Sequence, residues 1–270
     1  MYIQIPEYKK SYMCKSLINS GTYGIVYKYA DIYTKNNVAI KFFRNNDNFT
    51  HEINILNYIK KKIYNNSDSD EINEVKKNIC FPIFFTNENN VSKYIIFNYY
   101  DYDLLYYAST YILLNQDILN ISLQICNGLK YLHKNSIVHC DLKPENILCK
   151  YKNDTLHLVI TDFGLSYIEN NIIDYEIVTF SYRSPELICT INNKNNIIVK
   201  SSIDMWSFGV IIYFLINKFY FDIYNIEKYI ESNPIKKLCN INSIVDRLLQ
   251  YEKDRYTSYQ IYNDLKKLLK

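Results

Sequence analysis

The apolar side chains of this 270-residue chain fall into runs of different period, divided by polar patches rich in asparagine. Ile118, Ile121, Ile125, Leu129 and Leu132 recur every third or fourth residue, which places them on one face and predicts an amphipathic helix. Ile55, Leu56 and Ile59 follow the same rhythm within 51–59 and predict another. The longest apolar stretch, 205–216, predicts a buried helix, being well short of the roughly 20 residues needed to span a bilayer. Tyr94-Ile95-Ile96-Phe97 predicts a strand feeding a connector over 98–104. Residues 60–77, which hold Asn65-Asn66-Ser67-Asp68-Ser69-Asp70, predict a disordered polar loop.

Composition acts mainly by exclusion. The formal charge is +3 with acids and bases interspersed, so there is no electrostatic footprint for nucleic acid or an anionic membrane. Seven cysteines (Cys14, Cys80, Cys126, Cys140, Cys149, Cys189 and Cys239) are scattered without a C-x-x-C pair or zinc spacing. That usage suits a reducing compartment. The first residues lack a basic segment followed by an apolar one, so no secretory signal is expected and an intracellular location, cytoplasmic or nuclear, is. The 29 tyrosines accompany heavy use of Asn, Ile and Lys, as in an A+T-biased coding sequence. Without a basic groove they are read as packing residues.

Chemistry concentrates in the middle of the chain. Ile137-Val138-His139-Cys140-Asp141-Leu142-Lys143-Pro144-Glu145-Asn146 is followed, after a short apolar run, by Asp162-Phe163-Gly164. The two segments put a proton acceptor, a phosphate-contacting cation and two hard-oxygen metal ligands on neighbouring loops. They resemble the catalytic loop and the D-F-G metal loop of the eukaryotic protein kinases. The resemblance implies that Asp141 accepts or orients the substrate hydroxyl proton and that Lys143 touches the γ-phosphate of ATP. Asn146 and Asp162 would then bind Mg²⁺, with Phe163 packed beneath the site.

The same likeness extends toward the N-terminus. Leu17-Ile18-Asn19-Ser20-Gly21-Thr22-Tyr23-Gly24-Ile25-Val26 resembles the glycine-rich loop, with Asn19 where the first glycine is expected. Asn tolerates left-handed backbone, so the change is expected to loosen phosphate contact without abolishing it. Val38-Ala39-Ile40-Lys41 resembles the strand whose lysine pairs the α- and β-phosphates, and Glu52 stands where the helix glutamate pairs that lysine. Together these imply an ATP pocket built from Ile18, Gly21, Gly24, Val26, Ala39 and Lys41, closed by Phe97, Asp103 and Leu148. Phe97 would be the gatekeeper. Asp103 fits a ribose contact or a helix-starting carboxylate.

Tyr182-Arg183-Ser184-Pro185-Glu186, Asp204-Met205-Trp206-Ser207-Phe208-Gly209 and Asp254-Arg255-Tyr256-Thr257 resemble later kinase segments in family order. A buried Glu186–Arg255 ion pair is implied. The resemblance thus runs from Asn19 to Arg255. It implies an α+β, two-lobed fold in one domain over 1–270: an antiparallel-sheet lobe with one helix (1–97), a hinge (98–103) and a larger helical lobe (104–270).

Three classes of function compete. A protein kinase needs the lysine, glutamate, base, asparagine and metal aspartate, and all are present. A pseudokinase scaffold that binds nucleotide is the alternative, and a small-molecule kinase would lack the platform at 177–186. Lys143 after the base, and Thr179 where the family's threonine meets that base, resemble Ser/Thr specificity toward a protein substrate. Tyr-Arg-Ser-Pro-Glu points to the group of cyclin-dependent and dual-specificity tyrosine-regulated kinases, and Val178, Thr179 and Arg183 to a preference for proline after the acceptor. The arginine that usually precedes the catalytic aspartate is Cys140, which cannot hold a phosphate. Counting back from Tyr182-Arg183, the regulatory positions are already acidic, Asp174 and Glu176. They would order the loop if a cation such as Arg183 or Lys194 stood near, or else are solvated loop charges; on either reading a kinase independent of loop phosphorylation is expected.

Overall fold

The structure is a computed structural model that describes residues 2–5, 10–65, 77–86, 92–234 and 240–270. Cys239 and residues 66–76 of the expected polar loop lie outside the described residues. Six strands, β1 (Tyr2–Ile5), β2 (Lys10–Ser20), β3 (Gly24–Asp31), β4 (Asn37–Phe43), β5 (Pro82–Phe85) and β6 (Tyr94–Asn98), form one antiparallel sheet in the order β1-β2-β3-β4-β6-β5. The two-residue period of a strand divides its side chains between two apolar layers. Val38 and Ile40 of β4 join Ile5, Tyr12, Tyr29 and Ile96 in an outer cluster. Ile95 and Phe97, offset by one residue from Ile96, join the main core instead. Ala39 and Lys41 share the inner face of β4.

Against that inner face lies α1 (Asn46–Asn65), which buries Phe49, Ile53, Leu56 and Ile59 at helical spacing. This helix corrects the expected loop over 60–77, because residues 60–65 continue it. Ile59 is wholly buried, so the helix is still anchored in the core where this extension begins. Lysines then complement the negative C-terminal end, with Lys62 Nζ 5.2 Å from the Tyr58 ring one turn earlier.

Past the connector the chain is mostly helical: α2 (Leu104–Thr110), α3 (Asn115–Lys134), α4 (Pro185–Asn192), α5 (Ser201–Asn217), α6 (Ile226–Ser232), α7 (Ile241–Leu248) and α8 (Ser258–Leu268). The Ile118–Leu132 stripe is buried as the pattern predicts, and it sets α3 beneath the catalytic segment. The apolar run 205–216 lies inside α5, apolar on nearly every side and therefore central. A Cβ on Gly209 would stand 2.7 Å from Leu248 Cβ, so glycine is what lets α5 and α7 cross this closely. Among the described residues no helix is long and apolar enough to cross a membrane.

Short strands carry the loops between the helices. β7 (Tyr102–Asp103), β9 (Ile147–Lys152) and β10 (Thr155–Ile160) make one sheet, β8 (Ile137–Val138) pairs with β11 (Tyr167–Ile168), and β12 (Ile172–Ile173) pairs with β13 (Ile197–Ile198). Arg255 closes the helical lobe from behind. Its Nη1 and Nη2 meet Glu186 Oε1 and Oε2 at 2.6 and 3.0 Å, and its side chain is fully buried, which is the implied ion pair.

Candidate active site

Lys41 reaches from β4 across the inner face of the sheet to two carboxylates. Its Nζ donates to Glu52 Oε2 at 2.6 Å and to Asp162 Oδ1 at 2.7 Å, joining strand, helix and metal-loop segment at one ammonium. Burial disfavours the charge on Lys41, but Glu52 and then Asp162 outweigh it and raise its pKa. Burial pushes the Glu52 carboxyl up to about 7 against the pull of Lys41. For Asp162 burial also pushes upward, yet Lys41 prevails and holds the carboxyl below its ordinary value. Asp162 adopts left-handed backbone, φ 61° and ψ 74°. Phe163 behind it is buried and meets the His139 ring edge-on at 5.3 Å.

The catalytic segment is hung from α5. Asp204 is buried, and its carboxylate accepts the backbone N–H of His139 at 2.8 Å and of Cys140 at 3.0 Å, as well as His133 Nε2 at 2.9 Å. These bonds hold Cys140 at φ 64° and turn the next residue, Asp141, outward. Asp141 Oδ1 accepts from Thr179 Oγ1 at 2.8 Å and from its N–H at 3.1 Å. Asp141 Oδ2 lies 2.9 Å from Lys143 Nζ and accepts from Asn146 Nδ2 at 3.1 Å. Lys143 Nζ also donates to Thr179 Oγ1 at 2.9 Å, so Asp141, Lys143 and Thr179 form one closed network.

A cavity of about 620 Å³ opens between sheet and helices. Of the residues implied to hold nucleotide, Ile18, Val26, Ala39, Lys41, Phe97, Asp103 and Leu148 line it, together with Glu52, Asn146 and Asp162. Gly21 and Gly24 do not; nor do Asp141 and Lys143, which stand outside its wall. Gly24 answers a different need from phosphate approach, because a Cβ there would lie 2.2 Å from Phe42 O of the paired strand. Asn19 lines the cavity from extended β2, paired with Val26 just after a bulge, so its tolerance of left-handed backbone is not used. Asp103 caps α2, accepting the Tyr106 N–H at 2.7 Å, while also facing the cavity.

Sequence reasoning missed the aromatic mouth of this cavity, formed by Tyr99, Tyr100, Tyr102 and Tyr106. Tyr102 and Tyr106 stack at 5.6 Å with an interplanar angle of 3°. Their one signal was position, directly after the strand that ends at the cavity. That corrects the reading of all tyrosines as packing residues.

The donor set can be tested against Mg²⁺. Carboxylate and amide oxygens are the hard ligands it takes, in ones and twos beside phosphate and water oxygens. Among the described residues no hydrogen bond reaches Asn146 Oδ1 or Asp162 Oδ2. No group of three or more His, Cys, Asp or Glu among them could hold a metal unaided. The set fits a cation shared with a polyphosphate, not a closed protein cage.

Residues 12–270 match the protein kinase domain family. Similar chains include a probable cell division protein kinase of Encephalitozoon cuniculi, 35% identical over 76% of this chain and 71% of that one. Dual specificity tyrosine-phosphorylation-regulated kinase 2 of Drosophila melanogaster is 32% identical over 74% of this chain and 26% of its own length. CTD kinase subunit alpha of Saccharomyces cerevisiae is 30% identical over 74% and 36%. The chain thus spans about a third or less of the length of the last two. It belongs to the protein kinase family, as a eukaryotic-type serine/threonine kinase similar to the group of cyclin-dependent and dual-specificity tyrosine-regulated kinases.

Proposed function

We propose that residues 1–270 act as one kinase domain, hinged at 98–103, that transfers the γ-phosphoryl group of ATP to a Ser or Thr hydroxyl of a protein. The observation that carries this reading is the joining of Lys41, Glu52 and Asp162 at the cavity, beside an Asp141–Lys143–Thr179 network that stands outside the cavity wall and is tied to it through Asn146. Phosphoryl transfer asks for position and charge neutralisation, and each group supplies one of these. Lys41, fixed by Glu52, would meet the α- and β-phosphates. Asn146 and Asp162 would hold Mg²⁺, which neutralises phosphate charge when bound. Asp141, aimed outward by Asp204, would orient the acceptor hydroxyl and take its proton, while Lys143 meets the transferred group. Incubation with labelled ATP, Mg²⁺ and a degenerate Ser/Thr peptide library tests the reading. Transfer to Ser or Thr is expected, whereas nucleotide binding without transfer under any divalent cation would give the scaffold reading instead.

The same reading includes activity without phosphorylation of the activation segment. Cys140 is fully buried, and burial holds its thiol neutral, so it offers a phosphate nothing. The segment is braced by other means: β12 pairs with β13, Ser201 N–H donates to Glu169 Oε1 at 3.0 Å, and Arg183 Nη2 donates to Glu176 Oε2 at 2.8 Å. Activity that survives exhaustive phosphatase treatment is expected.

A preference for proline after the acceptor completes the reading. Val178 has φ 64°, and its carbonyl accepts Arg183 Nε at 2.9 Å. One lone pair of that oxygen is thereby taken, which makes it a poorer acceptor for a substrate N–H. Proline, having no N–H, loses nothing there, whereas other residues lose a hydrogen bond. A library with no enrichment of proline at that position would remove this part alone.

A further inference from the structure

We propose that His51, Tyr167 and Tyr175 form a latch of ring and hydroxyl contacts that positions Glu52 for Lys41. The effect on turnover rests on the kinase reading; the latch itself rests on geometry. His51 precedes Glu52 on α1, so a contact that fixes His51 also fixes the turn of helix that aims Glu52. His51 Nε2 lies 2.9 Å from Ser166 O, and since a carbonyl only accepts, Nε2 carries the proton and donates. The His51 ring packs on Tyr167 with centroids 4.8 Å apart. The Tyr167 hydroxyl is hydrogen-bonded to the Tyr175 hydroxyl, and their rings meet edge to face at 6.4 Å.

These contacts run without a gap from the activation segment, where Tyr175 is 45% exposed, to the neighbour of a glutamate that is 1% exposed. Ser166 ties the same point to the catalytic segment, because its Oγ donates to His139 O at 3.1 Å. Every link is a ring, hydroxyl or backbone contact. The chain therefore joins the activation segment to the lysine–glutamate pair by hydroxyl and ring contacts instead of a phosphate clasped by arginines. None of His51, Tyr167 and Tyr175 lines the cavity, and they are positioning residues.

Tyr175→Phe keeps the ring and removes one hydroxyl from an exposed site, so folding is not at stake. Loss of one hydrogen bond from the latch should lower kcat/KM for ATP about fivefold and leave the KM for peptide unchanged. In a Glu52→Gln background the same change should add less than about twofold, since the group being positioned is already gone. His51→Ala should act as Tyr175→Phe does, and His51→Gln, which keeps an N–H at the reach of Nε2, should restore most of the loss. Amide hydrogen exchange of α1, read by mass spectrometry, should quicken around residues 50–55 in Tyr175→Phe with or without turnover. Unchanged exchange there, a full fivefold effect in the Glu52→Gln background, or a loss confined to peptide KM overturns the latch. A chain that turns over no ATP yet shows the quickened exchange overturns the kinase reading and supports the latch.

Discussion

Arg183 Nη2 donates to Glu176 Oε2 at 2.8 Å, so an arginine on the substrate platform is neutralised by a carboxylate already present in the activation segment. Glu176 is mostly exposed, and such pairs contribute up to about 1 kcal/mol and are screened by salt. Glu176→Gln should therefore lower activity about two- to fivefold at low ionic strength, with the difference closing as salt is raised. Phosphatase treatment should change neither protein. Kinase assays across a salt series check both statements, and activity that collapses on dephosphorylation would sink the loop-independent reading.

Asp141→Asn should separate binding from transfer. The residue lies outside the cavity wall and bonds to Thr179, Lys143 and Asn146, so nucleotide affinity should stay within about twofold while transfer falls 10²–10⁴-fold, the usual worth of a general base. Calorimetric titration with a non-hydrolysable ATP analogue beside a turnover assay reads the two effects. Equal losses in both would show that Asp141 shapes the pocket instead.

Arg255→Met should destabilise the helical lobe by up to about 3 kcal/mol, the low end of the cost of breaking a buried pair, because the Glu186 side chain left behind is 27% exposed and its carboxylate recovers some water. Burial pushes Glu186 upward, but Arg255 holds it below its ordinary value, so removing the arginine releases that opposing pressure. The double change Glu186→Gln with Arg255→Met should recover part of the loss. Chemical denaturation of the three variants tests this, and a single variant as stable as the parent would mean that the pair contributes nothing net.

Asp31 gives a pH dependence with a defined sign. Its carboxyl is held at about 2 by a hydrogen bond from Lys10 and by the N–H groups of Thr34 and Tyr33 at 3.0 and 2.9 Å. A carboxyl lowered in the folded state stabilises it above the unfolded pKa, here near 4, and the contribution disappears as pH falls toward 2. The melting-temperature gap between the parent and Asp31→Asn should be constant above about pH 5 and shrink between pH 4 and 2. A gap independent of pH would contradict the assignment.

Much of this architecture was legible because the informative residues are local. The Ile118–Leu132 stripe keeps a helical period, the 205–216 and 94–97 runs are nearly continuous apolar stretches, and Asp141 and Asp162 sit in short strings with fixed offsets. What escaped depends on distant partners. Residues 60–65 extend a helix that Ile59 anchors in the core, and their own polar composition does not reveal that anchor. Tyr102 and Tyr106 line the cavity because β7 pairs with β9, a contact made across more than forty residues. The His51–Tyr167–Tyr175 chain joins three segments with no common motif.

The two glycines of the β2–β3 turn should respond in opposite ways to the same substitution, though both fall in the stretch that resembles a phosphate-binding loop. Gly21 has nothing within 4 Å of an added Cβ, and neither glycine has a positive φ, so Gly21→Ala asks for no rearrangement. Gly24 faces Phe42 O at 2.2 Å and Phe42 C at 3.2 Å, both backbone atoms of a paired strand that cannot swing aside as a side chain would. Gly24→Ala must push β3 away from β4, one residue from the Ile25–Phe42 pair and two from Val26–Lys41. Overpacking of this kind costs about 1–3 kcal/mol, and the strand that β3 is forced away from, β4, carries Lys41, so both stability and nucleotide affinity should fall. Thermal melts with and without a non-hydrolysable ATP analogue separate the two: Gly21→Ala should melt with the parent and keep its ligand-induced shift, while Gly24→Ala should melt several degrees lower and lose most of that shift. If the alanines behave alike, strand spacing is not what Gly24 protects, and its absence from the cavity wall would need another cause.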